Sequence, residues 1–208
     1  MRIKLTSRML GNVFLCGAIA CTLGAGATAS AVGSPAAAVS SDSQTSAAAG
    51  TSAAGITAGS DSQNGTAIYR YLRSQGYTPM QAAGAVCSMW GEAGWDPESW
   101  DLDTNGLYSG GIMQWNGPNY PNYVGQTQPS GNATADLQRQ LPAVIKFVNG
   151  TGKQGYVSQM ADAPTVLAAS QIWSSNVEEA GISDAHATGA LYAAQIAKAV
   201  DGVTLAAY

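Results

Sequence analysis

Charged side chains and histidine are scarce in this chain. Only 11% of the 208 residues are charged, the formal net charge is −4, and there is one histidine. This acidic balance argues against nucleic acid as a partner and against electrostatic attachment to an anionic cell wall. One histidine without clustered ligand residues gives no basis for a catalytic metal site. No Gly-x-Gly-x-x-Gly follows a strand pattern, so neither a dinucleotide nor any other cofactor is expected.

Cysteine is nearly absent as well. Of the three cysteines, Cys16 and Cys21 lie in an N-terminal segment interpreted below as a signal peptide. The mature chain then keeps only Cys87, which excludes an intramolecular disulfide. Cys87 and His186 could suggest a cysteine peptidase or amidase. Cys87, however, lies in a helical run of Ala, Val and Met, where a buried, inert thiol is common, and His186 lies at a predicted helix start, where we expect a solvated side chain.

Residues 1–29 have the pattern of a secretory signal peptide. Three basic residues precede a mostly apolar stretch, residues 9–21, and Ala27-Thr28-Ala29 fits a cleavage site. The apolar stretch is shorter than the roughly 20 residues of a membrane-spanning helix, so no stable membrane insertion is expected. The sequence thus predicts a secreted protein, extracellular or associated with the cell wall. A lipoprotein anchored through Cys21 is an alternative, although Ala18 occupies the position where a lipid-attachment motif has Leu.

Residues 30–64 are mostly Ala, Ser, Thr and Gly and contain no aromatic residue. Such a segment cannot bury enough apolar surface to offset its ordering entropy, which predicts a disordered linker. Residues 65–208 contain all five Trp and all nine Tyr, enough for one domain with a real core. We expect this domain to be a monomer.

Helices dominate the predicted domain. Residues 67–75 have apolar side chains at helical spacing. Thr78-Pro79-Met80-Gln81 is a helix start with a capping box, and one apolar face is expected to follow it. Further apolar stripes predict helices around residues 137–148, where Pro142 should kink or shorten the helix, over 162–176, and after Asp184. Residues 96–123 are rich in turn-forming residues and predict a small β-hairpin over 106–115.

Glu92 is the first candidate for chemistry. It lies near the end of the predicted helix that starts at Pro79, among small and apolar residues and between Trp90 and Trp95. Burial against aromatic surface raises the pKa of a carboxylic acid. A carboxyl group that stays protonated at neutral pH can act as a general acid and protonate a leaving oxygen. The alternative is an ordinary helix-end Glu that points into water.

A second motif follows downstream as Gly111-Ile112-Met113-Gln114-Trp115. Together with the small-residue helix, Glu92 and the Gly-Trp-Asp-Pro exit at residues 94–97, it resembles the phage tail lysozyme family of peptidoglycan-cleaving enzymes. The resemblance extends from about residue 67 to the C-terminus. It implies a mainly α, lysozyme-like α+β domain in which a small hairpin lobe lies beside a cleft.

The resemblance also implies roles for individual residues. Glu92 matches the catalytic acid, and Gly111, Gln114 and Trp115 match the residues that line the cleft; Tyr108 is a further substrate-binding candidate. The implied substrate is the bacterial glycan strand, cleaved at the β-1,4 bond between N-acetylmuramic acid and N-acetylglucosamine.

Two departures from the family pattern loosen this assignment. Ala93 stands where the family has Ser directly after the Glu, so a hydroxyl that could orient the acid or the sugar is missing. The Gly-Arg that tends to follow Gln-Trp is also absent, and residues 116–119 read Asn-Gly-Pro-Asn. A positive charge is thereby lost from the rim of the expected cleft.

Glycoside cleavage normally uses two carboxyl groups. Asp103 is the candidate for the second, although a structural role in a loop is the alternative. Several lysozyme-like relatives use the Glu alone and give lytic transglycosylase products, so hydrolysis and transglycosylation both remain open. A non-enzymatic glycan-binding module is the other reading, with Trp90, Trp95, Trp100 and Trp115 as a stacking surface. At least two of these tryptophans are expected in the core.

Overall fold

The structure, a computed structural model, describes residues 59–208. The predicted signal peptide and most of the predicted linker lie outside the described residues. Within the described part the chain forms seven α-helices, which are α1 (Asp61–Ser74), α2 (Pro79–Ala93), α3 (Asn119–Val124), α4 (Ala133–Gly150), α5 (Gln154–Gln159), α6 (Val166–Trp173) and α7 (Asp184–Asp201). Three short strands, β1 (Trp100–Leu102), β2 (Tyr108–Gly110) and β3 (Trp115–Asn116), lie between α2 and α3. The mainly helical architecture expected from the sequence is confirmed.

Helix α1 begins earlier than predicted. Its first residue is Asp61 rather than Ala67, so the last residues assigned to the linker of residues 30–64 are helical. A capping box forms this start, in which the Ser60 backbone N–H donates to Gln63 Oε1 at 2.7 Å. Asn64 is buried there and its amide donates to the carbonyl oxygen of Trp95 at 3.2 Å. These polar contacts stabilise the first turn without an apolar stripe, the signal on which the sequence prediction depended.

Helix α2 starts as predicted and is more deeply buried than predicted. Thr78 caps it, and the Thr78 backbone N–H donates to Gln81 Oε1 at 2.7 Å. Every residue from 82 to 89 is buried, so the buried surface includes the predicted apolar face and extends beyond it. The helix packs against α1, α6 and α7, and the small side chains of this run allow neighbours on several sides.

Close helix contacts explain the glycines of this core. A Cβ atom at Gly84 would lie 2.6 Å from Ala169 Cβ of α6. One at Gly189 of α7 would lie 2.8 Å from the Cys87 carbonyl oxygen. Both distances are shorter than real Cβ contacts, so α6 and α7 can approach α2 this closely only where a side chain is missing.

The strands form one antiparallel sheet in the order β1-β2-β3. Trp100 is opposite Gly110 and Leu102 is opposite Tyr108, while Gly110 is also opposite Trp115. The predicted hairpin over residues 106–115 therefore exists, and β1 adds a third strand to it. The residues 111–114 form the turn between β2 and β3.

The second half of the chain departs from prediction in two places. Pro142 lies inside α4 and does not shorten it, since the helix runs for 18 residues with buried apolar side chains on both sides of the proline, while the alternative expectation of a kink stays a prediction. The helix predicted over 162–176 is α6, and it continues as a π-helical segment, Ser174–Glu178. Among residues 59–208, no helix has the length and apolar character needed to cross a membrane.

Candidate active site

Glu92 lies in the last turn of α2 and is partly buried. The helix ends at Gly94, which has φ 61°, and the Gly94 N–H donates to the Trp90 carbonyl oxygen at 2.9 Å. Glycine adopts this left-handed conformation without steric cost, so α2 stops at Ala93, one residue after the candidate acid. The carboxylate is thus carried on the rigid end of a buried helix.

The face of α2 that carries Glu92 also carries Ser88, one helical turn earlier. Ser88 is fully buried, and its hydroxyl donates to Oε2 of Glu178 at 2.6 Å. Trp173, the last residue of α6, donates from Nε1 to Oε1 of the same carboxyl group at 2.8 Å. Both oxygens of Glu178 are therefore held by donors from two different helices.

Glu178 is an acid that favours its protonated form. Burial, and after it the negative charge of nearby Glu92, raise the pKa of Glu178 to about 8. The hydrogen bonds from Ser88 and Trp173, and the charge of Lys153, act in the opposite direction because they stabilise the carboxylate. Desolvation and like-charge repulsion exceed these effects, so the protonated form of Glu178 is favoured.

The backbone that presents Glu178 is unusual. It is the last residue of the π-helical segment, and Glu179 follows with φ 59°, a conformation uncommon for residues other than glycine. Lys153 fixes this corner, since Nζ donates to the Val177 carbonyl oxygen at 2.7 Å and pairs with Glu179 Oε1 at 2.9 Å. In the sequence, Glu178 and Glu179 are two neighbouring acids after an apolar helix, a pattern that only weakly indicates a functional site. Glu178 is therefore not among the site residues predicted from the sequence.

The two halves of the sequence motif are joined by hydrogen bonds. Gly111 N–H donates to the Ser99 carbonyl oxygen at 2.9 Å, and the Gln114 amide donates to Ser99 Oγ at 2.9 Å. Gln140 of α4 accepts from Ile112 N–H at 2.9 Å and donates to the Pro97 carbonyl oxygen at 2.7 Å. The Gly-Ile-Met-Gln-Trp turn is thereby fastened to the segment that leaves α2 directly after Glu92.

Within this turn, Gly111 and Gln114 both have left-handed backbone conformations, which glycine adopts readily and glutamine uncommonly. Gly111 has φ 71°, and a Cβ atom there would lie 2.6 Å from Gln140 Oε1. Gln114 also has a positive φ, 48°, and its amide donates to the Gly111 carbonyl oxygen at 3.1 Å. Trp115 is 4% exposed and packs against Tyr120, so its contribution to a site is through packing rather than ring stacking.

Tyr108 lies on the exposed side of the sheet. Its ring stacks on Trp100 with the centroids 5.3 Å apart and the planes 4° from parallel, and the residue is 46% exposed. Of the four tryptophans considered as a stacking surface, Trp95 and Trp115 are buried, as expected for at least two of them. Trp90 and Trp100 are partly buried.

Asp103 is held inside the hairpin. Its Oδ2 accepts hydrogen bonds from the Ser109 hydroxyl and from the Asn116 amide, the latter at 2.6 Å. Its N–H donates to the Leu107 carbonyl oxygen at 2.8 Å. These bonds stabilise the turn between β1 and β2, and the proposed role of Asp103 as second carboxylate stays a prediction.

Cys87 and His186 do meet in the structure, but not as a nucleophile and base. The Cys87 thiol donates to the backbone carbonyl oxygen of His186 at 3.2 Å, and burial raises the pKa of Cys87 to about 11. His186 is 1% exposed, so the expectation of a solvated side chain is wrong. Its Nδ1 accepts from Ser183 N–H at 3.1 Å and completes the cap of α7, while burial lowers the pKa of His186. A neutral thiol without a ring nitrogen partner lacks the thiolate that such chemistry requires.

The comparison with known proteins identifies the family. The family model for phage tail lysozyme matches residues 63–200, which include α2, the sheet and Glu178. The chain belongs to the phage tail lysozyme family. No curated protein and no solved structure gives a significant match. Membership of the phage tail lysozyme family indicates an enzyme of the lysozyme-like class that acts on peptidoglycan, and it confirms the resemblance drawn from Glu92 and the Gln114-Trp115 motif.

Proposed function

We propose that the protein is a peptidoglycan glycosidase that cleaves the β-1,4 bond between N-acetylmuramic acid and N-acetylglucosamine, with Glu92 as the general acid. The observation that carries this proposal is the joining of the two motif halves through Ser99 and Gln140. It fixes the Gln114 turn relative to the end of the helix that carries Glu92. A proton donor and a polar cleft wall on rigid elements are what glycoside cleavage needs.

In this mechanism Glu92 donates its proton to the glycosidic oxygen as the bond to the sugar carbon breaks. Gln114, Gly111 and Trp115 shape the wall of the sugar site, and Tyr108 offers an exposed ring to a more distant sugar. The sugar carbon is then attacked either by water or by a hydroxyl group of the substrate itself. The first gives a reducing end and the second an anhydro-sugar, so mass spectrometry of digested walls distinguishes hydrolysis from transglycosylation.

Replacing the acid by its neutral isostere tests the assignment. Glu92→Gln should lower the rate of wall clearing by about 10²–10⁴-fold, since a general acid contributes about that much. Glu98→Gln, which removes an exposed acid six positions away, is the matched control and should clear at the wild-type rate. Circular dichroism should show the same folded structure in both variants as in the wild type. Equal clearing by Glu92→Gln and wild type would refute the assignment.

The exposed Trp100–Tyr108 stack favours a second candidate, a glycan-binding module without catalysis. In that case neither wild type nor Glu92→Gln would clear walls, and both would sediment with insoluble peptidoglycan equally well. The enzyme instead predicts clearing by the wild type, with binding retained in Glu92→Gln.

We also propose that the protein is exported and acts on the wall as a monomer, from the signal-peptide pattern of residues 1–29. N-terminal sequencing of the secreted form should give a start near residue 30, whereas a lipid-modified Cys21 would support the lipoprotein alternative.

A further inference from the structure

Glu178 is the acid that the sequence patterns did not single out. It is held by Ser88 at 2.6 Å and by Trp173 at 2.8 Å, and Ser88 is on the face of α2 that also carries Glu92. A carboxyl group bonded to Ser88 therefore lies beside the carboxyl group one helical turn further on. The π-helical segment and the left-handed Glu179 aim Glu178 at this position. Such local distortions cost energy and are frequent at functional sites.

We propose that Glu178 is a positioning residue for the reaction of Glu92: the two carboxyl groups together hold one proton at neutral pH, and Ser88 sets how firmly they hold it. This inference deepens the proposed function and depends on it for its catalytic meaning. Two carboxyl groups that interact electrostatically lose their protons in two separate steps, because the second charge is repelled by the first. The pair with one proton is the form able to protonate the leaving oxygen.

The proton balance of one turnover follows directly. The pair gives its proton to the glycosidic oxygen while the bond between that oxygen and the sugar carbon breaks. The pair then carries two negative charges. It regains one proton from the water that adds to the sugar carbon, or from the substrate hydroxyl that closes the anhydro ring. The repulsion between the two charges favours this return of the proton.

Other groups around Glu178 act on the pair more weakly. From α2, the Cys87 thiol is neutral at physiological pH because its own pKa is about 11. From the connection before α5, Lys153 stabilises the ionised form of Glu178, and Glu179 partly neutralises Lys153 through their ion pair. Burial and the charge of Glu92 outweigh these groups and raise the pKa of Glu178 to about 8.

The pH dependence of the clearing rate tests the pair. In the wild type the clearing rate should fall as the pH rises, with a midpoint near pH 8. This fall is called the alkaline limb below. In Glu178→Gln the repelling charge is gone, so the limb should move to lower pH by at least about one unit, with at least about threefold less activity near pH 7.5 and a loss that shrinks toward acid pH. Ser88→Ala removes a donor that stabilises the carboxylate and should move the limb the other way, to higher pH. Glu98→Gln should leave it in place.

A structural role alone would not give these shifts. If Glu178→Gln lowered the rate by the same factor at every pH, or left the alkaline limb unchanged, the inference would be overturned while the assignment of Glu92 stood. Conversely, clearing by Glu92→Gln would refute the proposed function and with it the catalytic meaning of the pair. A second measurement therefore follows the pair itself, by carbon-13 NMR titration of the glutamate carboxyl groups in the free protein.

In the wild type the Glu178 carboxyl should titrate above pH 7, and in Glu92→Gln its midpoint should fall because one charge has been removed. An unchanged midpoint in Glu92→Gln would show that the two acids are independent and would overturn the pairing. This readout does not require an active enzyme. It also does not depend on the folding of the Glu178 variants.

Discussion

Two carboxyl groups of this protein have similar hydrogen-bond partners and different surroundings. Glu178 accepts from a serine hydroxyl and an indole N–H, and Asp103 accepts from a serine hydroxyl and an amide N–H. Glu178 lies between α2 and α6 with a second acid beside it, whereas Asp103 lies in a hairpin loop with exposed residues after it. Donors of this kind stabilise the charged form of a carboxyl group. What distinguishes Glu178 as a proton-holding group is therefore burial together with the charge of Glu92.

The sharpest test of this difference is the pH dependence of stability. The pKa of Glu178 is raised on folding, so the unfolded chain gives up this proton at lower pH than the folded one does. The stabilising effect of the bound proton is complete below the ordinary glutamate pKa and is lost as the pH rises toward about 8. The melting temperature of Glu178→Gln relative to wild type should accordingly rise by several degrees between pH 5 and pH 8.

The other titrating groups affect wild type and variant alike. Burial lowers the pKa of His186, which reduces stability at acid pH in both proteins and cancels in the difference. Asp103→Asn is the matched control, and its difference from wild type should not rise over the same range. A flat difference for Glu178→Gln would show that Glu178 is ionised at neutral pH in the folded protein.

Removing the acceptor in the hairpin should have a smaller effect, on stability alone. In Asp103→Ala, the Ser109 hydroxyl and the Asn116 amide both lose their acceptor. Because the loop is close to solvent, water can replace part of the loss, and we expect a cost of about 1 kcal/mol, or about 2–4 °C in melting temperature. At a temperature where the variant is still folded, the clearing rate should stay within about threefold of wild type, and the alkaline limb should not move. A large loss of clearing with unchanged stability would instead make Asp103 the second catalytic carboxylate.

The contrast between the two acids also shows what the sequence could predict. The start of α2 was predictable because Thr78 and Gln81 are three positions apart and cap the same helix. The Gln114 turn was found because its residues are contiguous. Glu178 could not be found in this way, since its partners Ser88 and Trp173 come from two different helices. The burial of His186 was missed for a similar reason, because its ring packs against Gly91 of α2, where a Cβ atom would overlap it.

The exposed aromatic stack separates binding from proton transfer and should give the smallest effect. Tyr108 covers Trp100 on the surface of the sheet. It lies in the same hairpin region as Asp103 and is not part of the pair formed by Glu92 and Glu178. Tyr108→Ala should raise the half-saturating concentration of wall fragments a few-fold, because an exposed stacking contact contributes about 0.5–1.5 kcal/mol. The maximal rate and the alkaline limb should remain those of the wild type. Tyr156→Ala, which truncates another surface tyrosine of similar exposure, is the control and should change neither quantity. If Tyr108→Ala lowered the maximal rate and left half-saturation unchanged, the hairpin would have to take part in the chemistry, and the division between a binding half and a proton-holding half would be wrong.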